Sequence, residues 1–259
     1  MRTGRHLLVV AALVLPGLAA AAPRQSVTVA VAANMKPAFE EIAARFRTHR
    51  PGVEVKASFG ASGNFFAQIA NGAPFDLFLS ADASYPAKLA QKGLSDGEPF
   101  TYAYGKLVVW VPSDSKLDLE GKGLAALADP AVQKIAIANP EIAPYGRAAR
   151  EALEKAGLYD ELRDRIVMGQ SVAQTAQFVQ SGNAQAGLLP LSLAKTPSLA
   201  TRGRTWSVPA SSYQRIEQAG VIIKGARAAA LARALAAFVT TSPEARDVLE
   251  RYGYALPAK

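Results

Sequence analysis

Four short segments place small or polar residues where a strand would hand over to a helix: Ala33-Asn34, Gly60-Ala61-Ser62-Gly63, Pro144-Tyr145-Gly146 and Gln170-Ser171-Val172. The first N–H groups of a helix have no carbonyl to bond within it, and the helix dipole adds positive character there. Each segment therefore offers donors suited to an anion. Gly60 and Gly63, lacking a Cβ, let the backbone come close to a ligand. Any one of these turns alone is more simply a helix cap. Two in each half of the chain point together to an anion held between the halves.

Other chemistries fit less well. Ser62 and Ser171 are candidate nucleophiles, yet neither sits in Gly-x-Ser-x-Gly, and His49 is the one histidine outside the first residues. With no cysteine in the chain, metal binding would fall to scattered carboxylates. Asp76 and Asp82 flank one strand and read as a strand-end hydrogen bond and a cap or turn. Tyr102, Tyr104, Trp110 and Trp206 could line a carbohydrate site, but alternating aromatics in a strand read first as core. These residues predict a binding protein rather than an enzyme, with an exported serine hydrolase acting through Ser62 as the rival.

The elements that must position these turns follow from periodicity. Val27 to Val31 alternates as a strand, and Phe39, Ile42, Ala43 and Phe46 form a helical stripe ended by His49-Arg50-Pro51-Gly52. Val53 to Phe59 is a second strand, with Ser62 as N-cap of a helix that buries Phe66, Ile69 and Ala70. Leu77 to Ser80 is a third, leading to a helix closed at Gly93. Phe100 to Val111 reads as one long strand. A second series follows: strand 134–138, helix 147–156, strand 166–168, a helix from Ser171 and strand 186–189. Finally Ile216 to Ile223 is a strand, 226–239 a helix, and Ser242-Pro243-Glu244 opens a last helix. Repeated strand–helix units predict an α/β fold of two Rossmann-like lobes with mainly parallel sheets. The chain is expected to cross between lobes twice, near 104–107 and 214–218, giving lobe 1 as 26–104 with 217–259, lobe 2 as 105–216, and a ligand cleft between them.

Arg2 and Arg5, an apolar run from Leu7 and the small residues before Pro23 have the order of a secretory signal, placed at residues 1–22. The run is shorter than a membrane span. An exported chain without cysteine carries no disulfide and no lipid-modified cysteine, which fits a free periplasmic protein, expected to be a monomer. The net charge of +8 is spread among many carboxylates, so nucleic acid is not an expected partner.

The stretches "VAVAANMKPAFEEIAARF", "SFGASGNFFAQIANGAPFDLFLSAD", "FTYAYGKLVVW", "IAIANPEIAPYGRAA" and "GYALP" resemble, in order and along nearly the whole chain after the signal, the periplasmic molybdate-binding proteins of ABC transporters. The resemblance implies a type II periplasmic binding protein whose lobes close on molybdate or tungstate, with no further cofactor and with the transporter's membrane permease subunits as partners. It also implies the donors: Asn34 with the backbone at Ala33, Ser62 with the backbone of its turn, Tyr145, and Val172 through its N–H. Where some members have a tyrosine after the later strand this chain has Pro190, so Tyr145 is expected to take its place. None of the four turns carries a carboxylate at a donor position, which predicts rejection of anions bearing a proton. A sulfate or other tetrahedral oxyanion receptor is the alternative within this class.

Overall fold

The computed structural model describes residues 25–258; the expected signal segment, 1–22, lies outside them. The strands are β1 (Ser26–Ala32), β2 (Glu54–Gly60), β3 (Leu77–Ser80), β4 (Phe100–Gly105), β5 (Leu107–Pro112), β6 (Ile135–Ala138), β7 (Ile166–Gly169), β8 (Ala186–Pro190), β9 (Gly203–Ser207) and β10 (Ile216–Ile222). They form two five-stranded sheets, ordered β2-β1-β3-β10-β4 and β7-β6-β8-β5-β9.

The two orders are the same arrangement used twice. In each sheet three strands pair in parallel, the next runs antiparallel to them, and the edge strand turns back to their direction. The reversed strands, β5 and β10, are the two that have just crossed from the other sheet. A crossing chain leaves one sheet at the carboxyl ends of its strands and enters the other at the same side, so it must run against the strands it joins. The sheets are therefore mixed, and the reversal records where the chain crosses.

Alternation along β1 assigns its two faces. Val27, Val29 and Val31 join Phe39, Ile42 and Phe46 of the helix Lys36–His49, Leu231 and Leu235 of the helix Ala229–Thr241, and Val248 of the helix Pro243–Arg251. Ala30 faces the other way, with Phe65, Phe78 and Leu89. The second sheet has its own core, built on Leu107 to Val111, Ile135, Ile137, Ala149 and Leu189, into which Ala32 at the end of β1, Ala33 and Ala81 also pack.

Several local expectations shift. The expected strand Phe100–Val111 divides at Lys106: Tyr102 and Ala103 belong to the first core and Leu107 onward to the second, so the apolar run stays unbroken while the sheet changes. The helix Ser62–Ala70 buries Phe65 and Ile69, whereas Phe66 is half-buried and Ala70 exposed, a rotation of one position. Ala61, not Ser62, is its N-cap. Strand β9, Gly203-Arg-Thr-Trp-Ser207, lacks an apolar alternation and is held as an edge by pairing with β5.

Asp76 makes the expected strand-end hydrogen bonds: its carboxylate accepts from Thr28 N at 2.8 Å and from Ala228 N at 3.0 Å, joining β1 to the approach of the C-terminal helices. Two bonds to a buried charged acceptor predict that Asp76→Ala loses about 3 kcal/mol, lowering the thermal midpoint by about 6–12 °C. Asp76→Asn, which keeps one acceptor, should recover part of this. An unchanged midpoint in Asp76→Ala would show that these bonds contribute nothing.

Candidate anion-binding site

Ala33, Asn34, Ser62, Tyr145 and Val172 all line one small cavity, together with Ala32, Gly60, Ala61, Ala81, Ala143 and Pro144. The turns after β1, β2, β6 and β7 converge on it, the turn after β2 meeting the loop after β6 and the helix after β7 packing against the turn after β1, all at the carboxyl ends of parallel strands, where ligands of open α/β sheets settle. Among the described residues no group of three His, Asp or Glu could hold a metal ion. No carboxylate, ammonium or guanidinium lines the cavity.

Each turn is built for its place. Ser62 opens its helix, so its own N–H has no carbonyl in that helix. Its hydroxyl oxygen accepts from Ala81 N at 2.9 Å, and the residue is 1% exposed. That bond fixes the oxygen and leaves the hydroxyl proton to donate. Ser171 caps the helix Val172–Gln180 by accepting from Gln174 N at 3.3 Å, while Gln174 Oε1 accepts from Gln170 N at 2.6 Å. The cap leaves the first-turn N–H of Val172 at the cavity. Pro144 opens the helix Pro144–Lys155, setting its first turn at no loss of a donor the helix could use.

Asn34 is not the free side-chain donor that the sequence suggests. Its Nδ2 donates to Gln218 Oε1 and to Tyr254 Oη, both at 2.8 Å, so both amide hydrogens are committed inside the protein. The orientation is forced from a distance. The Ala81 carbonyl can only accept, so Gln218 turns Nε2 toward it at 3.2 Å and Oε1 toward Asn34. Ser192 and Tyr254 hydroxyls both donate to the Asn34 carbonyl. What Asn34 can offer an anion is its backbone N–H, held in place by this network. Its Oδ1 is the one buried side-chain polar atom without a partner among the described residues. An unmet acceptor in a cavity wall qualifies the expectation of a purely donating site.

Tyr145 reaches from the second sheet to the first crossover. A Cβ on Gly105 would stand 2.0 Å from its hydroxyl oxygen and 3.0 Å from Gln218 Nε2, so only glycine fits there. Burial pushes the Tyr145 phenol well above the usual tyrosine range, with Tyr254 and Tyr102 adding to the shift and the nearby Asn34 side chain opposing it. Burial raises Tyr102 and Tyr254 as well. All three hydroxyls therefore keep their protons at any ordinary pH and remain donors.

Gly63 serves a different closeness from the one expected. Its N–H donates to Ile142 O at 2.9 Å, and a Cβ there would lie 2.7 Å from the Tyr85 hydroxyl and 2.9 Å from Ile142 Cα. Here the turn meets the opposing loop rather than a ligand. Sequence reasoning passed over Ala81, Ser192, Gln218 and Tyr254. The available signal was Gln218 itself, an uncharged polar residue inside the apolar strand β10 and fully buried.

The cavity measures about 10 Å³, close to the least that holds a water. A larger oxyanion enters only if the sheets part. A space of about 370 Å³ lies outside it, and Pro144 lines both. The wall of this outer space is charged, with Asp82, Glu141, Glu151 and Glu217 set among Lys88, Arg147 and Arg215, in contrast to the uncharged inner cavity.

Known proteins share this plan. The chain is 41% identical to the molybdate-binding protein ModA of Azotobacter vinelandii over 92% of its own length and 93% of that protein. It is also 41% identical to the molybdate-binding protein ModA of Rhodobacter capsulatus, over 92% of this chain and 91% of that one. The solved structure of the Azotobacter vinelandii periplasmic molybdate-binding protein superposes with a TM-score of 0.83 at 37% identity, covering 90% of this chain and all of that one. The profile of the bacterial extracellular solute-binding proteins matches residues 27–255, and the chain belongs to that family.

Proposed function

We infer that the protein is a periplasmic receptor that captures molybdate, and tungstate with it, for import by an ABC transporter. The observation that carries this reading is the cavity itself: turns of both sheets converge on it with hydroxyl and first-turn N–H donors and with no ionised side chain. The 41% identity to two molybdate-binding proteins supports the choice of anion. Anion donors are proposed to be the Ala33 and Asn34 backbone, the Ser62 hydroxyl and N–H, Tyr145, and the Val172 N–H.

On this reading residues 1–22 are a signal removed on export, and the working protein is a free monomer. Lobe 1 (26–104 and 217–259) and lobe 2 (105–216) bend at the two crossovers to close on the anion, and the permease subunits of the transporter recognise the closed form. No cofactor is needed beyond the transported anion. Size then separates molybdate and tungstate from sulfate, since the smaller anion cannot meet donors on both lobes at once.

Titration calorimetry with molybdate, tungstate and sulfate tests the assignment. Tight binding of the first two and markedly weaker binding of sulfate is expected; equal affinity for sulfate and molybdate would defeat it. Molybdate at 100 times its Kd should stabilise the protein by about 2.7 kcal/mol, raising the thermal midpoint by about 5–10 °C.

Ser62 gives the sharper test. Ser62→Ala removes one hydrogen bond to a charged group, so molybdate binding should weaken about 10–100-fold. Ser62→Asp sets a carboxylate against the dianion in a cavity without cations and should abolish binding. If both variants fold and bind molybdate as the parent does, the anion is held elsewhere.

A further inference from the structure

Apart from Arg215 and Glu217 within the second crossover, one ion pair among the described residues joins the two sheets' halves of the molecule: Asp82, two residues beyond the end of β3, and Arg147, in the first turns of the helix that follows β6. Asp82 Oδ2 accepts from Arg147 Nη2. The other carboxylate oxygen, Oδ1, accepts from Tyr85 N at 3.2 Å and from the Ser84 hydroxyl at 3.1 Å, so the carboxylate is anchored to its own lobe. The guanidinium lies 5.6 Å from the centre of the Tyr85 ring, and Nη1 donates to the Tyr85 hydroxyl at 3.4 Å. The Asp82 side chain is 14% exposed and that of Arg147 36%, so the pair is shielded more than a surface one.

Its position gives it a task. Asp82 follows Ala81, which lines the inner cavity, and Arg147 lies one turn beyond Pro144, which lines both the inner cavity and the outer space. The pair thus spans the boundary between them. Beside it the Gly63 N–H to Ile142 carbonyl bond makes the same crossing through the backbone.

We propose that Asp82 and Arg147 form a latch across the cleft, stabilising the closed arrangement and setting how long the anion stays bound without touching it. The proposal rests on the anion-site reading above. Its rival is simple electrostatics: Arg147 attracts the dianion through space and Asp82 repels it. The two accounts predict opposite signs for Asp82→Asn. Asparagine keeps an oxygen that can accept from Tyr85 N, so that bond survives while the charge goes. Through-space attraction would then be unopposed, and molybdate would bind more tightly and leave more slowly. A broken latch releases it faster, because losing one partner of a shielded charge pair acts chiefly on dissociation.

Stopped-flow kinetics on the exported form should show molybdate leaving Asp82→Asn and Arg147→Gln about tenfold faster, with association within about twofold of the parent. The double variant should be no faster than either single one. Slower or unchanged release from Asp82→Asn overturns the latch.

A second measurement needs no ligand. The chain has no cysteine, so Lys92→Cys and Glu161→Cys, both exposed, accept one spin label in each lobe. Pulsed distance measurement on the unliganded pair should show Asp82→Asn moved toward longer separations, and an unchanged distribution overturns the proposal. A parent protein that fails to bind molybdate would instead reject the anion assignment, leaving this distance comparison to decide the latch.

Discussion

The arrangement rests on one constraint of chain direction. Both passages between sheets occur at the carboxyl ends of the parallel strands, so β5 and β10 must each enter a sheet reversed. The crossover strands β4 and β10 then lie side by side, pairing Gly105 with Ile216 and Ala103 with Gln218 before the register slips at Gln218 and Ala219. A bulge re-aims a side chain, and at this one Gln218 meets Ala81 and Asn34. The hinge region and the cavity wall consequently share residues: Gln218 holds Asn34 and Gly105 leaves room for the Tyr145 hydroxyl. Bending at the crossovers cannot leave the cavity unchanged.

A buried anion without a neighbouring cation requires donors already fixed in place, since unoriented dipoles would have to be ordered on binding. The protein fixes them by consuming the alternatives. Ser62's oxygen is occupied by Ala81 N, Asn34's amide by Gln218 and Tyr254, and Ser171's oxygen by its own helix cap. What remains for a ligand is the Ser62 hydroxyl proton, the Tyr145 hydroxyl and those first-turn N–H groups not already bonded, beside the unpartnered Asn34 Oδ1. Raised phenol pKa values add that the tyrosine hydroxyls around Asn34 do not ionise. Charge is kept to the outer cleft, where Asp82 and Arg147 neutralise each other.

Local periodicity made the elements around the cavity legible. Leu77–Ser80 is a strand as its apolar run predicts, and Ser171 caps its helix as its type and place predict. Relations between distant residues were hidden. Asn34 meets Gln218 and Tyr254 across 184 and 220 positions, and no spacing rule connects them. The break at Lys106 was hidden for the opposite reason: apolar residues continue on both sides of it, each serving a different core. Phe65 rather than Phe66 is buried because it stands four positions before Ile69, on the same face of the helix.

On the proposed function, turns of both lobes hold one small oxyanion in the inner cavity. Anomalous diffraction at the molybdenum edge, from crystals grown with molybdate, would locate that anion. One strong peak is expected within hydrogen-bond reach of the Ser62 hydroxyl and of the Val172 N–H together. A peak in the outer cleft beside Arg147, or one reached by donors of a single lobe, would contradict it.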